Sequence, residues 1–260
     1  MDQTSLFAEQ SGLGQDIGTR LRHRSPRSVG AMVTFLGYVV MAIVLVSLGL
    51  IVTKLLLSGP VGVWDNSVNR WAAAHRVPTW NTLTDYASIM AGTGTVLIIA
   101  GTTAAILAIR RLWWELGFLA SALFIEFAVF LTTVTLIERP RPSVPKLDGV
   151  PSTSSFPSGH VAAAIVLYVG LAILISSRTR NLVIRTAVWA VAVTIVAGVG
   201  ISRVYRGLHH PIDVFAGVVL GIGAILFAIL AIRSAVADSR LRTEGAIDAP
   251  AFAQEREIHA

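Results

Sequence analysis

The segment 202–213 reads SRVYRGLHHPID, and the shorter segment 156–160 reads FPSGH. Both are polar runs at the edge of long hydrophobic segments, and a third charged run, ERPRP at 138–142, lies just upstream. Charged residues beside apolar membrane segments are costly and usually have a function, such as binding an anion. The apolar segments therefore define the fold, and the three polar runs indicate where its site lies.

The composition is that of an integral membrane protein. Of the 260 residues, 54% are hydrophobic and only 14% are charged, whereas soluble domains carry about 25% charged residues. The chain has no cysteine, which excludes disulfides, thiolate metal sites and cysteine nucleophiles. Its net charge of +6 favours anchoring against anionic lipid headgroups, and we expect no binding of nucleic acid.

Six apolar segments have the length of about 20 residues that crosses the hydrocarbon core of a bilayer. They cover about residues 32–57, 83–109, 112–136, 159–177, 183–202 and 212–234. They predict helices, because they are too long and continuous for barrel strands and because backbone groups in lipid must be satisfied internally. The predicted fold is all-α, with a basic cytoplasmic tail at 1–31, a six-helix membrane domain at 32–235 and a flexible tail at 236–260.

Arginines between the predicted helices set the orientation, since cytoplasmic loops carry an excess of Lys and Arg. With six spans, one side collects Arg20, Arg22, Arg24, Arg27, Arg110, Arg111, Arg178, Arg180, Arg185, Arg233, Arg240 and Arg242. This side is predicted to be the cytoplasmic face of the cell membrane, with both termini on it. The 138–158 and 203–210 loops then face the extracytoplasmic side. Their arginines are exceptions to the excess of positive charge in cytoplasmic loops, and a site that binds an anion would explain them.

The connection at about 58–82 contains Trp64, Trp71 and Trp80. This spacing suggests an amphipathic helix lying in the membrane interface. Two interpretations stay open: an ordinary aromatic anchor, or a lid that controls substrate entry.

The segment Ser158-Gly159-His160 opens the fourth predicted helix. A helix N-terminus presents unpaired N–H groups and a partial positive charge, which together attract anions. Gly159 allows the backbone to approach a ligand closely, and Ser158 is an ordinary N-cap residue. His160 has the chemistry to give a proton to a departing oxygen, although a lone histidine at a helix end is more often an interfacial residue.

Two further features favour a phosphate site. His209 and Asp213 are four residues apart and share a helix face, and an aspartate that accepts from one imidazole nitrogen leaves the other free as a nucleophile. Arg141 and Arg203 lie on the same side of the membrane, and the planar arginine fork matches phosphate oxygens. Snorkelling to headgroups explains one such arginine, but not two arginines together with two histidines.

Pro157-Ser158-Gly159-His160 and Ser202-Arg203-x5-His209-x3-Asp213 resemble the second and third signatures of the type 2 phosphatidic acid phosphatase family. The resemblance covers roughly residues 80–236. The first family signature is Lys-x6-Arg-Pro, and here Arg141-Pro142 supplies its end while Val134 stands at the lysine position. Alignment on Arg139-Pro140 places Thr132 there instead. Arg139 and Lys146 are the candidates to replace the missing phosphate-binding charge.

The resemblance implies a phosphatase that uses no metal and no cofactor. His209 is expected to attack phosphorus and form a phosphohistidine, with Asp213 orienting it. His160 is expected to protonate the leaving oxygen and then to activate water. Arg141, Arg203, Ser158 and the Gly159 amide are expected to hold the phosphate oxygens. His210 adjoins the nucleophile and competes for its role, but the helical spacing to Asp213 favours His209.

The expected substrate is a lipid phosphate, and an outward-facing site favours a polyprenyl diphosphate. Phosphatidic acid and phosphatidylglycerophosphate are alternatives, as is phosphotransfer to an acceptor other than water. A catalytically silent membrane scaffold is a further alternative, supported by Val134. Six spans argue against a soluble haloperoxidase of the same family, and acid–base residues at helix ends argue against a transporter, which usually carries them near the membrane midplane. The sequence leaves the oligomeric state open.

Overall fold

The computed structural model describes residues 12–21, 24–149 and 152–258, with the backbone alone at 238 and 240–258. This part of the chain contains helices and no strands, so the predicted all-α class is confirmed. The helices are α1 (Leu13–Arg20), α2 (Pro26–Leu56), α3 (Pro60–Ala74), α4 (Pro78–Met90), α5 (Thr93–Ile109), α6 (Trp113–Leu136), α7 (Gly159–Ser176), α8 (Leu182–Tyr205) and α9 (Pro211–Ile258). A π-helical turn at Val52–Leu56 ends α2, and another at Ile165–Val169 interrupts α7.

Five helices within the described residues are long and apolar enough to cross a membrane: α2, α6, α7, α8 and the Pro211–Ala237 part of α9. The α4–α5 pair is a sixth candidate, but it is bent by 43°. The prediction of one continuous helix at 83–109 is therefore wrong. Helix α4 already begins at Pro78, and the helical conformation is interrupted at Ala91 and Gly92. Glycine favours such a break, since it loses more conformational freedom in a helix than other residues.

Local sequence signals define where several helices begin. Proline fits the first turn of a helix, where its missing N–H would have no partner, and α2, α3, α4 and α9 all start with proline. Asn181 caps α8, where its Oδ1 accepts from the backbone N–H groups of Val183 at 2.9 Å and Ile184 at 3.3 Å.

Helices α7 and α9 form the buried centre of the bundle, and α7 also packs against α6 and α8. Two glycines of α9 allow this close approach. A Cβ atom at Gly217 would lie 2.5 Å from the carbonyl oxygen of Ser158, and one at Gly221 would lie 2.7 Å from the Cβ of Ile165. Small residues let membrane helices pack with their backbones close together. The start of α7 is thereby held against the first turns of α9.

Large apolar side chains cover the outside of the bundle. On α5 and α8 the exposed ones include Leu97, Ile98, Ile106, Val183 and Val191. Contiguous apolar surface of this extent is rare on soluble monomers but matches a hydrocarbon environment. The chain is accordingly a multi-pass membrane protein.

The helix ends do not coincide with the predicted domain boundaries. Helix α2 begins at Pro26, before the boundary at 31, and α1 packs against α9. Helix α9 runs past the boundary at 235 to Ile258. Residues 1–11 of the predicted basic tail lie outside the described residues, and the flexibility of 236–260 stays a prediction.

Candidate active site

The polar runs of the sequence meet in one cavity of about 410 Å³. Arg141, Gly159, His160, Arg203 and His209 line it, and the helix ends and loops that carry them are far apart in the chain. Arg141 lies in the loop after α6, Gly159 and His160 open α7, and Arg203 lies in the last turn of α8. The structure therefore brings together five of the predicted site residues.

A tight turn between α8 and α9 places Arg203 and His209 on the same wall. The backbone N–H groups of Leu208 and His209 both donate to the carbonyl oxygen of Arg203, at 3.0 and 3.1 Å. The turn requires glycine at 207, where φ is +77° and a Cβ atom would lie 2.9 Å from the carbonyl oxygen of Pro145. Such a positive φ strains any residue with a side chain.

The hydrogen bonds of His209 fix its tautomer. Its Nδ1 lies 2.7 Å from the carbonyl oxygen of Ser155, and because a carbonyl only accepts, Nδ1 carries the proton. Nε2 therefore keeps its lone pair, 3.5 Å from Nη1 of Arg141. Burial lowers the pKa of His209 below its ordinary value, against the opposing effect of Asp213. A neutral imidazole with Nε2 free is the form needed for nucleophilic attack.

Asp213 does not form the direct hydrogen bond to His209 that the spacing predicts. Its Oδ2 lies 3.8 Å from Nδ1 of His209, beyond hydrogen-bond distance. The carboxylate instead accepts from the backbone N–H of His210 at 2.8 Å and from Arg139. The carbonyl oxygen of Ser155, rather than Asp213, therefore orients the imidazole ring of His209. Asp213 supplies a negative charge near that ring. His210 Nδ1 faces Asp213 at 3.3 Å, and the cavity is lined by His209 rather than His210.

Arg139, predicted as a further phosphate ligand, lies outside the cavity. Its two terminal nitrogens donate to Asp65 and Asp213, and all three side chains are buried. We call these three residues the carboxylate cluster. A buried cation that is paired on both sides has little charge left for a ligand, so the structure does not support Arg139 as a phosphate ligand.

Two other predicted phosphate ligands also lie away from the cavity wall. Lys146 is exposed and does not line the cavity, so the structure does not support it as a replacement for the missing lysine. Ser158 is fully buried, and its Oγ has no hydrogen-bond partner among the described residues. It does not cap α7 through its side chain, but its backbone N–H donates to the carbonyl oxygen of Asp213 at 2.9 Å.

Helix α3 supports the site in a way that the sequence analysis missed. Asp65 and Asn69 are buried, whereas Trp64 and Trp71 are exposed. Asn69 Nδ2 donates to the carbonyl oxygen of His209 at 3.0 Å, and Asp65 Oδ1 accepts from the backbone N–H of Ile212 at 3.1 Å. The four-residue spacing of Asp65 and Asn69, which places them on one helix face, was the available signal.

Asp148 and Arg206 form an ion pair beside the cavity that the sequence did not predict. Arg206 Nε lies 2.9 and 2.8 Å from the two carboxylate oxygens of Asp148. This hydrogen bond lowers the pKa of Asp148 and raises the pKa of Arg206. Asp148 Oδ2 also lies 3.3 Å from Nη2 of Arg203, which in turn donates to Ser88. No local sequence pattern indicates these contacts.

The structure is thus that of a membrane protein in which two arginines and two histidines line one cavity near the ends of the spanning helices. Residues 111–236 match the model of the PAP2 superfamily and include all five cavity residues named above. This match confirms the resemblance drawn from the sequence signatures.

Known proteins that are similar to this chain include a curated relative and a solved structure. Decaprenylphosphoryl-5-phosphoribose phosphatase of Mycobacterium tuberculosis is 31% identical over 122 residues, which cover 45% of this chain and 60% of that relative. The match therefore spans less than two thirds of the relative's length. The crystal structure of a transmembrane PAP2 type phosphatidylglycerolphosphate phosphatase from Bacillus subtilis has a TM-score of 0.61 and 25% sequence identity, covering 78% of this chain and 94% of that one.

Proposed function

We propose that this protein is an integral membrane phosphatase that hydrolyses the phosphate ester of a lipid. The observation that carries the proposal is the shared cavity of His209, His160, Arg141 and Arg203 at the ends of membrane-spanning helices. Phosphoryl transfer depends mainly on positioning and charge stabilisation, and this cavity offers both. The names of both relatives also describe phosphatases acting on lipid-linked phosphates.

The mechanism follows from the tautomer of His209. Nε2 attacks phosphorus in line, the N–P bond forms, and the bond from phosphorus to the lipid oxygen breaks. His160 gives its proton to that oxygen, so that the lipid leaves as an alcohol. Since Nδ1 stays protonated, the phosphohistidine carries a positive charge on its ring. The carboxylate of Asp213, 3.8 Å from Nδ1, stabilises this charge.

In the second half of the reaction, His160 takes a proton from water. The resulting hydroxide attacks phosphorus, the N–P bond breaks, and inorganic phosphate leaves. Arg141, Arg203 and the backbone N–H of Gly159 hold the non-bridging oxygens through both steps, because charge develops on these oxygens in the transition state. We expect the reaction to proceed without a metal ion.

We favour a substrate with a polyprenyl tail. The M. tuberculosis relative is named for a decaprenyl lipid, and an outward-facing site suits polyprenyl carriers of extracytoplasmic synthesis. The substrate class includes the polyprenyl diphosphate favoured by the sequence analysis and polyprenyl-linked monophosphates. Phosphatidylglycerophosphate, which corresponds to the named activity of the B. subtilis structure, and phosphatidic acid are the diacyl alternatives.

The orientation of the site is part of the proposal. Glu115 at the start of α6 pairs with Arg178 after α7, so the arginine-rich connections lie together at one end of the bundle. We expect this end and both termini to be cytoplasmic and the cavity to be extracytoplasmic. The chain has no cysteine, so Ser152→Cys gives a single thiol at an exposed loop position. A membrane-impermeant maleimide should label it on intact cells, and labelling only after permeabilisation would overturn the orientation.

The activity is tested by phosphate release from lipid phosphates in detergent with EDTA present. Polyprenyl diphosphate, polyprenyl monophosphate, phosphatidylglycerophosphate and phosphatidic acid form the panel. His209→Ala should abolish release, whereas the exposed His75→Ala should retain it. Equal release by His209→Ala excludes His209 as the nucleophile, and loss of activity with EDTA excludes the metal-free mechanism. No release by the wild type from any substrate favours a silent scaffold.

A further inference from the structure

The cavity holds an acidic residue that the phosphatase mechanism does not use. Asp148 lines the cavity together with Arg141 and Arg203, and its side chain is 24% exposed. Its carboxylate therefore remains accessible even though it contacts Arg206 and Arg203. A carboxylate beside a phosphate pocket also repels an anionic ligand, so Asp148 affects ligand binding in addition to holding Arg206 and Arg203.

The charges that line the cavity are few. Among the described residues, the lining contains two cations, Arg141 and Arg203, and one carboxylate, Asp148. Val134 stands at the position where the family signature has lysine. Arg139 is paired with Asp65 and Asp213 in the carboxylate cluster. With His209 neutral and His160 protonated, as its role as proton donor requires, the lining has a net formal charge of about +2.

Arg203 both pairs with Asp148 and lines the cavity where a phosphate would bind. Its Nη2 lies 3.3 Å from Oδ2 of Asp148, while its Nε is buried without a hydrogen-bond partner among the described residues. A phosphate group bound by Arg141 and Arg203 satisfies this donor and balances the cavity charge. An additional phosphate group on the same ligand adds negative charge next to Asp148 and finds no further cation on the described lining.

We propose that Asp148 makes the site selective for lipids with a single terminal phosphate group over lipid diphosphates. This inference rests on the proposed phosphatase function and reverses the preference for a polyprenyl diphosphate. Like charges in close contact raise the free energy of the bound state enough to change affinity by about tenfold or more. Asp148 is thus a specificity-determining residue that acts by rejecting the second phosphate.

The structure offers a matched control for the role of Asp148. Asp85 also contacts Arg206, with its Oδ1 3.0 Å from Nη2, but it is exposed and does not line the cavity. Asp85→Asn therefore removes a carboxylate partner of Arg206 and leaves the cavity charge unchanged. Asp148→Asn removes the same type of partner and also removes the cavity carboxylate.

The first experiment compares farnesyl monophosphate with farnesyl diphosphate, so that the tail is identical. Initial rates of loss of each compound give kcat/KM. The wild type should prefer the monophosphate by about tenfold or more, and Asp148→Asn should bring the ratio towards one, mainly through a lower KM for the diphosphate. Asp148→Glu and Asp85→Asn should keep the wild-type ratio. A wild-type preference for the diphosphate overturns the proposal, even if Asp148→Asn does not fold, and so does an unchanged ratio in Asp148→Asn.

A binding experiment separates this proposal from the phosphatase function. Inorganic phosphate and pyrophosphate are titrated into His209→Ala protein, with and without Asp148→Asn, by calorimetry. Phosphate should bind more tightly than pyrophosphate only when Asp148 is present. If this pattern occurs but no lipid is hydrolysed, the phosphatase function fails and the selectivity stands. If hydrolysis occurs but the two anions bind alike with and without Asp148, the selectivity fails alone.

Discussion

Arg139 and Arg141 are two residues apart in the chain, yet they belong to two regions with opposite properties. Arg139 joins Asp65 and Asp213 in the carboxylate cluster. Arg141 lines the cavity, where its Nη1 donates to the carbonyl oxygen of Leu208 at 2.8 Å and contacts Nε2 of His209 at 3.5 Å. One arginine is neutralised by carboxylates, whereas the hydrogen-bond partners of the other among the described residues are neutral.

This difference shows that the partners of a cation decide its function more than its place in a motif. Both arginines occur in the sequence ERPRP, and either one satisfies Arg-Pro. A buried cation with paired carboxylates holds structure together, whereas a cation with neutral partners attracts an anion. The following predictions test whether the two regions separate stability from catalysis.

The largest expected effect is on stability, from Arg139→Met. This change leaves Asp65 and Asp213 buried without their cation, and breaking a buried pair in this way costs about 3–5 kcal/mol. The thermal unfolding temperature in detergent should fall strongly, with activity lost as a consequence. Arg139→Met combined with Asp65→Asn should recover part of the loss. An unfolding temperature equal to that of the wild type would contradict the role of the carboxylate cluster.

Arg141→Gln should lower activity strongly but change stability little, the reverse of Arg139→Met. Losing one charged donor to the transition state lowers turnover by about 10²–10³-fold, while no carboxylate is left unpaired and the unfolding temperature should change little. Arg141→Lys should lose less activity because it keeps the charge. Steady-state phosphate release and thermal unfolding of the same samples check both points. If Arg141→Gln unfolds as easily as Arg139→Met, the two regions are not functionally distinct.

Much of the fold could be predicted because its signals are local. The length of each apolar segment gives the spanning helices, and the family signatures place His160, His209, Arg141 and Arg203 at helix ends. The break at Ala91 and Gly92 was missed because the small residues at 91–95, AGTGT, include no charge that would end an apolar segment. Length and apolarity do not reveal a bend.

The supporting contacts could not be predicted because they join distant segments. Arg139 meets Asp65 and Asp213 across 74 residues in each direction, and Arg206 meets Asp148 across 58. Such pairs depend on how helices pack and on how loops return, which no local spacing encodes. The four-residue spacing of His209 and Asp213 suggested a hydrogen bond, but competition from His210 and Arg139 for the carboxylate decided otherwise.

The charge of Arg141 should also affect the pH dependence of the reaction rate. Burial lowers the pKa of His209, and the nearby charge of Arg141 lowers it further, so the neutral nucleophile persists below the ordinary histidine pKa of about 6.5. The acid limb of kcat/KM should lie below this value in the wild type and move to higher pH in Arg141→Gln. One substrate serves for both proteins, so that its own ionisation cancels. An acid limb that stays in place would mean that His209 does not control it.

The smallest expected effect comes from adding a cation to the cavity with Val134→Lys. Val134 lies one helical turn beyond Phe130, which lines the cavity, so both share a face of α6. A lysine there adds a positive charge on the helix face that lines the cavity, and a partly exposed charge interaction of about 0.5–1 kcal/mol corresponds to a two- to fivefold gain. The gain should be larger for farnesyl diphosphate than for farnesyl monophosphate, because the second phosphate of the diphosphate has no cation partner in the wild-type cavity.

The control is Val134→Met, which gives a side chain of similar length without charge and should show no such difference. A steep loss with lysine but not with methionine would mean that the cavity excludes a third cation, and that its low charge is itself a requirement of the site.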